Sequence, residues 1–579
     1  MTQPQPSQTA GLRAPAGPRT GSVLVAEALR QCGIRRVTGI TGTPVDRIFP
    51  ACAAHGIRPI GTRHQHAAVL MAAASNYVAG RLESAVVVSA GPAVTNALTG
   101  VLVARDNGWP VIVIGGRRPI LDEGIGYFQE LDAVPIFHSV TKWAATVERV
   151  SEVVPAILRA YECAMSGRPG PVYLDLPEDV LGASITGAGP SSVPSPAPAS
   201  PADDESVREC GRLIGGAQRP LLIVGDDIRW TFRQADLRRL VELNSLPFVT
   251  TPLARGFLPD DHPLCANAVR HWIPSRADLV LMAGAWFDWR FRFGAELAPS
   301  ARVIHVGTDP ATLGKNVPGA LTIHADAGRF LSQLDEWLQS TDRPRSVVRP
   351  DEWVQEVNAR SKATERERAA WADRQSQPMS PQNVFAELRR FLPAEAIVVL
   401  DGSTTLSTGQ KVLAAHTPCG WLDPGWSGCM GAGIPMAIGA KLTAPHRLVV
   451  AVCGDFGFGL SAMDLETAVR HRIPIVVVIS NNAAWAIERT SQRIDFGAGR
   501  IIGTELLPSR YDLMAQALGA WGTLVETPDQ IRPALEAAFA SGRPACVNVI
   551  TDRDAPSPDS ERGLARVPDG QPVDWTAPE

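Results

Sequence analysis

Leu448-Val449-Val450-Ala451-Val452-Cys453-Gly454-Asp455-Phe456-Gly457-Phe458-Gly459, followed by Pro474-Ile475-Val476-Val477-Val478-Ile479-Ser480-Asn481-Asn482, decides the fold. Each segment is a short apolar run that ends in polar residues, and Asn482 lies 27 positions after Asp455. That is the layout of two adjacent buried parallel strands joined by a helix, with a carboxylate and a carboxamide delivered together at the strands' carboxyl ends. Hard oxygen ligands of this kind suit Mg²⁺, which keeps near-octahedral geometry and usually holds a phosphate as well. Gly454 and Gly457 let the backbone come close to an anion, and the following helix points its amino end at the same place. A lone Gly-Asp after a strand is usually a turn. The Asn481-Asn482 pair at this distance makes the segment read as a metal and diphosphate site.

Outward from this stretch, short Val/Ile/Leu runs alternate with longer amphipathic ones, as at Ala85-Val86-Val87-Val88, Val111-Ile112-Val113-Ile114, Leu221-Leu222-Ile223-Val224, Leu279-Val280-Leu281-Met282 and Ile397-Val398-Val399-Leu400. Such runs between helical segments predict parallel sheets covered on both faces. Two stretches poor in core-forming residues interrupt the pattern: 183–202, dominated by Pro, Ser, Ala and Gly, and a charged stretch that begins at Ser340 and contains Pro344. These mark domain boundaries. The expectation is an α/β protein of three doubly wound parallel-sheet domains. The divisions are a disordered tail over 1–20, a first domain over 21–182, a linker over 183–202, a central domain over 203–340, a linker over 341–374, a third domain over 375–551 and a tail over 552–579.

The bulk properties narrow the function classes. The chain has 579 residues, too many for one core. Its formal net charge of −4 advertises no basic face for nucleic acid. The nine cysteines are scattered without a Cys-x-x-Cys pair, which argues against structural zinc and a disulfide framework and fits a reducing cytoplasm. Residues 1–20 lack the continuous apolar core of a signal peptide, and no apolar stretch reaches the ~18 residues that span a bilayer. No membrane partner is expected.

The Gly-Asp-x…Asn-Asn segment resembles the thiamine diphosphate motif of the superfamily that includes acetolactate synthase, benzaldehyde lyase and oxalyl-CoA decarboxylase. The resemblance extends from about residue 21 to about residue 570. It includes Val37-Thr38-Gly39-Ile40-Thr41-Gly42, Ser89-Ala90-Gly91-Pro92-Ala93-Val94-Thr95-Asn96-Ala97, Phe128-Gln129-Glu130, Gly170-Pro171-Val172-Tyr173-Leu174-Asp175-Leu176-Pro177 and Gly428-Cys429-Met430-Gly431-Ala432-Gly433-Ile434-Pro435. It implies a pyrimidine-binding first domain, a nucleotide-binding-like central domain and a diphosphate-binding third domain, with thiamine diphosphate and Mg²⁺ as cofactors. The metal would be held by Asp455, Asn482 and a backbone oxygen of Ala484. Gly42, Ser403, Thr404, Gly428, Cys429, Met430, Gly454, Phe456 and Gly457 would contact the cofactor, Met430 as the apolar wedge that bends it.

The resemblance also exposes a departure. The family's Arg-His-Glu-x-Ala-Ala segment, whose glutamate hydrogen-bonds the aminopyrimidine ring and shuttles its proton, corresponds here to Arg63-His64-Gln65-His66-Ala67-Ala68. A carboxamide can hold the ring but cannot exchange a proton near pH 7. An enzyme with slower cofactor activation, one helped by His64 or water, and a family member that has lost activity all remain open. Glyoxylate carboligases resemble the first case.

Asn481-Asn482-Ala483-Ala484-Trp485-Ala486-Ile487-Glu488-Arg489 is similar to actinobacterial 2-hydroxyacyl-CoA lyases, in which a glutamate at the Glu488 position receives and returns the substrate hydroxyl proton; a solvated Glu beside an Arg is the plainer alternative. Gln129 matches a glutamine that reaches the active site in relatives. The central domain resembles one that carries FAD in acetolactate synthases and ADP or CoA in oxalyl-CoA decarboxylases, with Arg255, Arg290, Arg292 and Lys315 as candidate phosphate contacts. The run Ser557 to Asp569 looks like the closing tail of 2-hydroxyacyl-CoA lyases and is a candidate lid.

Three functions follow as expectations: a lyase cleaving a 2-hydroxyacyl-CoA to formyl-CoA and an aldehyde or ketone, a carboligase or decarboxylase on free 2-oxo acids or hydroxy ketones, and a catalytically degenerate paralogue. Because family active sites lie between subunits, a homo-oligomer is implied, a dimer or a tetramer of dihedral symmetry.

Overall fold

The computed structural model describes residues 18–186, 192–193, 195–340 and 351–555. They form three parallel sheets. The first contains β2 (Arg36–Ile40), β3 (Arg58–Gly61), β4 (Ser84–Val88), β5 (Val111–Arg117), β6 (Ala144–Thr146) and β7 (Pro171–Pro177), in the order β3-β2-β4-β5-β7-β6. The central sheet has β9 (Pro220–Val224), β10 (Phe248–Thr250), β11 (Leu279–Ala283), β12 (Arg302–Gly307) and β13 (Leu321–His324), in the order β10-β9-β11-β12-β13. The third has β14 (Ile397–Asp401), β15 (Trp421–Leu422), β16 (Val449–Gly454), β17 (Val476–Asn481), β18 (Trp521–Val525) and β19 (Ala545–Ile550), in the order β15-β14-β16-β17-β19-β18. The first and third sheets follow one winding pattern, an identity of topology that their sequences do not display.

The expected α/β architecture is present. The inner strands are buried on both faces, β4, β9, β11 and β14 without a single exposed residue, so their unbroken Val/Ile/Leu content follows from helices on both sides. In the third sheet β14 and β16 flank the point where the winding reverses. Loops at the carboxyl ends of these strands diverge there and open the crevice in which open α/β sheets hold ligands.

The first and third domains share a core through two helices, Gln65–Ala79 and Gly433–Thr443. Small residues such as Ala72, Ala73, Ala437, Gly439 and Ala440 line both. Gly439 faces the Met71 carbonyl and Thr443 bonds Ser75, so the helices run in the same direction.

Two expected boundaries differ from what forms. Arg19–Thr20, assigned to the tail, make β1, which pairs antiparallel with β8 (Ser184–Ile185) inside the expected first linker. Residues 341–374, read as a linker, contain the Asp351–Ala372 helix. Trp353 and Val357 of that helix sink into the central core, and the Trp353 indole N–H donates to the Pro220 carbonyl at 3.1 Å. The Ser557 to Asp569 stretch lies outside the described residues, as do residues 1–17 and the remainder of 556–579. Among the described residues no helix is long and apolar enough to cross a membrane.

Candidate active site

The third-domain crevice is lined by Gly402, Ser403, Thr404, Met430, Gly454, Asp455, Phe456, Gly457, Asn482, Ala484, Trp485 and Ile487, among others. The register of β16 on β17 pairs Gly454 with Ser480, which delivers Asp455 and Asn482 at nearly the same level. Asp455 is 1% exposed. Its Oδ1 accepts the Phe456 N–H at 3.0 Å, whereas Oδ2 is buried with no hydrogen-bond partner. Burial pushes this carboxyl up to about 6. The Asn482 Oδ1 accepts the Ala484 N–H at 3.3 Å, and Ala483 carries a φ of 51° in the turn between them.

A buried carboxylate oxygen without a donor is costly unless something positive meets it. Thr404 Oγ1 in the same crevice is likewise buried and unpartnered. The helix that begins at Ser403 is entered through Gly402, whose φ of 96° favours glycine. A divalent cation at Asp455 and an anion at Thr404 would satisfy both orphaned atoms, so the residues present fit a metal-bound diphosphate.

Met430 sits on a loop held from below by a residue that the sequence did not single out. Asp401, at the end of β14, is fully buried and accepts the N–H groups of Gly431 at 3.2 Å and Gly433 at 2.9 Å. A lone Asp after a strand reads as a turn residue, and its donors lie some thirty positions on. Burial pushes its carboxyl up to about 6 against the pull of those amides. Gly428 supplies a φ of 61° at the start of the loop. The Cys429 thiol is raised by burial to about 11, so it stays protonated at neutral pH. Phe456 and Trp485 stack at 4.5 Å beside the crevice. Glu488, in the first turn of the Ala486–Phe496 helix, is exposed and is not among the residues lining the crevice.

A second, open cleft of about 520 Å³ lies on the first domain, lined by Gly42, Thr43, Ser89, Arg118, Tyr127, Phe128 and Gln129. It shares no lining residue with the crevice of the third domain. Gln129 has a φ of 61° and packs against Gly91, where an added Cβ would stand 2.9 Å from the glutamine's own Cβ. Arg118 fixes this loop: its Nε donates to the Phe128 carbonyl at 2.6 Å, and its Nη2 donates to Gln129 Oε1 at 3.2 Å.

Gln65 opens the Gln65–Ala79 helix and lines neither hollow; its Oε1 accepts from the Asn96 amide at 3.2 Å. His64 caps the same helix, its ring accepting the His66 N–H at 3.1 Å. Burial, with a contribution from His64, lowers His66 to about 4, so its ring is neutral near pH 7.

In the central domain the four candidate phosphate contacts are engaged internally. Arg255 donates to Asp260 and to the Leu413 carbonyl and covers the Trp421 ring at 4.1 Å. Arg290 is clamped by Asp288, Arg292 pairs with Glu296, and Lys315 sits 5.1 Å from the Trp286 ring. At the carboxyl end of β9, the Gly225 and Asp227 N–H groups donate to the carbonyls of Ala283 and Gly284, and Asp227 pairs with Arg168 of the first domain. This donor set fits a closed ion-pair network and does not fit a polyphosphate cradle.

Comparison with known proteins gives three ordered matches: "Thiamine pyrophosphate enzyme, N-terminal TPP binding domain" over residues 19–136, "central domain" over 207–334 and "C-terminal TPP binding domain" over 402–549. The chain is 34% identical over 543 residues to the acetolactate synthase large subunit IlvG of Mycobacterium tuberculosis, covering 93% of this chain and 97% of that protein. It is 31% identical over 553 residues to 2-hydroxyacyl-CoA lyase 1 of Homo sapiens, covering 93% and 95%. To the oxalyl-CoA decarboxylase of Escherichia coli K12 it is 33% identical over 543 residues, covering 92% and 95%.

Proposed function

The chain belongs to the thiamine pyrophosphate enzyme family, and from that premise we propose a thiamine diphosphate- and Mg²⁺-dependent carbon–carbon lyase that cleaves a 2-hydroxyacyl-CoA to formyl-CoA and an aldehyde or ketone. The observation that carries the reading is the pair of orphaned oxygens, Asp455 Oδ2 and Thr404 Oγ1, facing one crevice at the winding reversal of the third sheet.

Asp455, Asn482 and the Ala484 backbone would hold Mg²⁺, while Ser403, Thr404, Gly454 and Gly457 would receive the diphosphate. Bound there, the cofactor would supply an electron sink for the bond cleavage. Met430 would serve as the apolar wedge against it, and Gln65 would offer it a hydrogen bond. Glu488 takes the substrate hydroxyl proton at its carboxylate and returns it after cleavage. Gln129, oriented by Arg118, faces the substrate.

The separation of the two hollows supports an active site completed between subunits, hence a dimer or a dihedral tetramer. Leu121, Ile125 and Phe128, exposed by 89%, 72% and 71% around the first-domain cleft, fit burial against a second copy. Nine free cysteines fit the reducing cytoplasm.

A second reading, a carboligase or decarboxylase on a free 2-oxo acid, draws on one observation: Arg118 lines the larger cleft and could pair with a carboxylate. The deciding experiment gives the purified protein thiamine diphosphate, Mg²⁺ and a set of 2-hydroxyacyl-CoA esters, with products read by mass spectrometry. Formyl-CoA from any ester supports the lyase. Its absence, with pyruvate turnover, transfers the reading to the free-acid enzyme. Silence on every substrate, with cofactor bound, makes the protein a degenerate paralogue.

A further inference from the structure

We infer that Asp401 is a positioning residue: it seats the Met430 loop against the Asp455–Ser461 helix, so that the wedge under the cofactor and the grip on its diphosphate move as one body. The inference rests on the reading of the third-domain crevice as a thiamine diphosphate site.

Asp401 ends β14, the strand at the winding reversal, and no part of it reaches solvent. One oxygen accepts the Gly431 N–H at 3.2 Å and the other the Gly433 N–H at 2.9 Å, the two amides that follow Met430. The other side of the carboxylate is closed by the Asp455–Ser461 helix. An added Cβ on Gly457 would stand 3.1 Å from Asp401 Oδ1, and one on Gly433 would stand 2.9 Å from the Asp401 Cβ. The carboxylate therefore fills the space between the Met430 loop and the Asp455–Ser461 helix, both of which line the crevice, and glycines at 433 and 457 let it sit close to each.

A surface aspartate would be content with water. This one has no water to return to, and its placement makes sense only if the two amides stay where they are. Removing one acceptor frees the Met430 loop from below. The loop's backbone then has one unpaired N–H and can settle by an ångström or so, and displacements of that size around reacting atoms cost ~100-fold in rate. The diphosphate grip, made by Asp455, Thr404 and the turn at Gly454, keeps its own hydrogen bonds.

Three proteins are compared after reconstitution with thiamine diphosphate and Mg²⁺: Asp401→Asn, Met430→Ala and the double variant. Cofactor affinity is read by fluorescence titration, and the exchange of the cofactor's C2 proton with deuterium by quenched NMR. Asp401→Asn is expected to bind the cofactor within about threefold of the parent while exchanging the proton about tenfold to a hundredfold more slowly. In the double variant the two losses should not add, because Asp401 acts through Met430. Gly433→Ala, whose new carbon would stand 2.9 Å from the Asp401 Cβ and push the carboxylate off the loop amides, gives the same signature and serves if Asp401→Asn fails to fold. Additive losses, or a normal exchange rate in Asp401→Asn or Gly433→Ala, would overturn the assignment. A parent protein that binds no thiamine diphosphate would instead overturn the reading of the crevice.

Discussion

Gly439 lies against the carbonyl of Met71, so close that a Cβ on the glycine would stand 2.2 Å from that oxygen. The contact joins the helix leading from the Met430 loop to the helix leading from Gln65, and it sits in a core shared by the first and third domains. A side chain there pushes backbone against backbone, with no flexible atom to yield. Gly439→Val should destabilise the protein by about 1 to 3 kcal/mol, the usual penalty of overpacking. Urea denaturation measures it, and a variant as stable as the parent would show that the helices can slide apart.

Gln65 is expected to limit the activation of the cofactor. Its carboxamide is held by Asn96 and cannot exchange a proton at neutral pH. Gln65→Glu keeps the Asn96 bond, since a carboxylate oxygen accepts from the same amide, and it restores a group that can take and return a proton. The exchange of the bound cofactor's C2 proton should rise by ~10² to ~10⁴-fold. An unchanged rate would mean that another group already performs the transfer.

The legible part of the site was the part built at strand ends. Asp455 and Asn482 follow unbroken apolar runs at a fixed interval, and the register of β16 on β17 brings them level. Asp401 also follows such a run, but its partners are backbone amides in a glycine loop, and nothing in the identity of Gly431 or Gly433 announces a bond to it. The Asp351–Ala372 helix was hidden by its charge: Glu, Arg and Lys dominate it, and its buried stripe is narrow, Trp353, Val357 and Ser361 at intervals of four. The shared winding of the first and third sheets left no trace in sequence, because strand order is set by packing and crossover direction rather than by local composition.

The central domain should leave ADP unbound. Arg168 is committed to Asp227 and Arg290 to Asp288, and the Gly225 and Asp227 amides are spent on neighbouring carbonyls. Phosphate oxygens would have to displace carboxylates from both arginines. Among the described residues Arg229 Nε, Arg255 Nη1 and Arg270 Nη2 are buried there without a hydrogen-bond partner, and Arg270 is the cation taken as the test. Isothermal titration of the holoprotein with millimolar ADP should show no saturable heat. One ADP per chain, lost in Arg270→Ala, would prove the network open to nucleotides.

His66 should make the protein less stable as the medium is acidified. Burial and the neighbouring His64 lower its ring from an ordinary value of 6.5 to about 4. As pH falls from about 6.5 to about 4, the unfolded chain takes up a proton at this ring that the folded protein refuses. The unfolded state binds more protons over that window, so stability declines with falling pH there and is insensitive to His66 above it. The slope from one such group cannot exceed ~1.4 kcal/mol per pH unit. His66→Gln removes the titration but keeps a polar side chain of similar reach. Denaturant midpoints of parent and variant at pH 7.5, 6.0 and 5.0 should show the variant gaining on the parent at each acid step. A constant difference across the three would place His66 in water rather than in the protein.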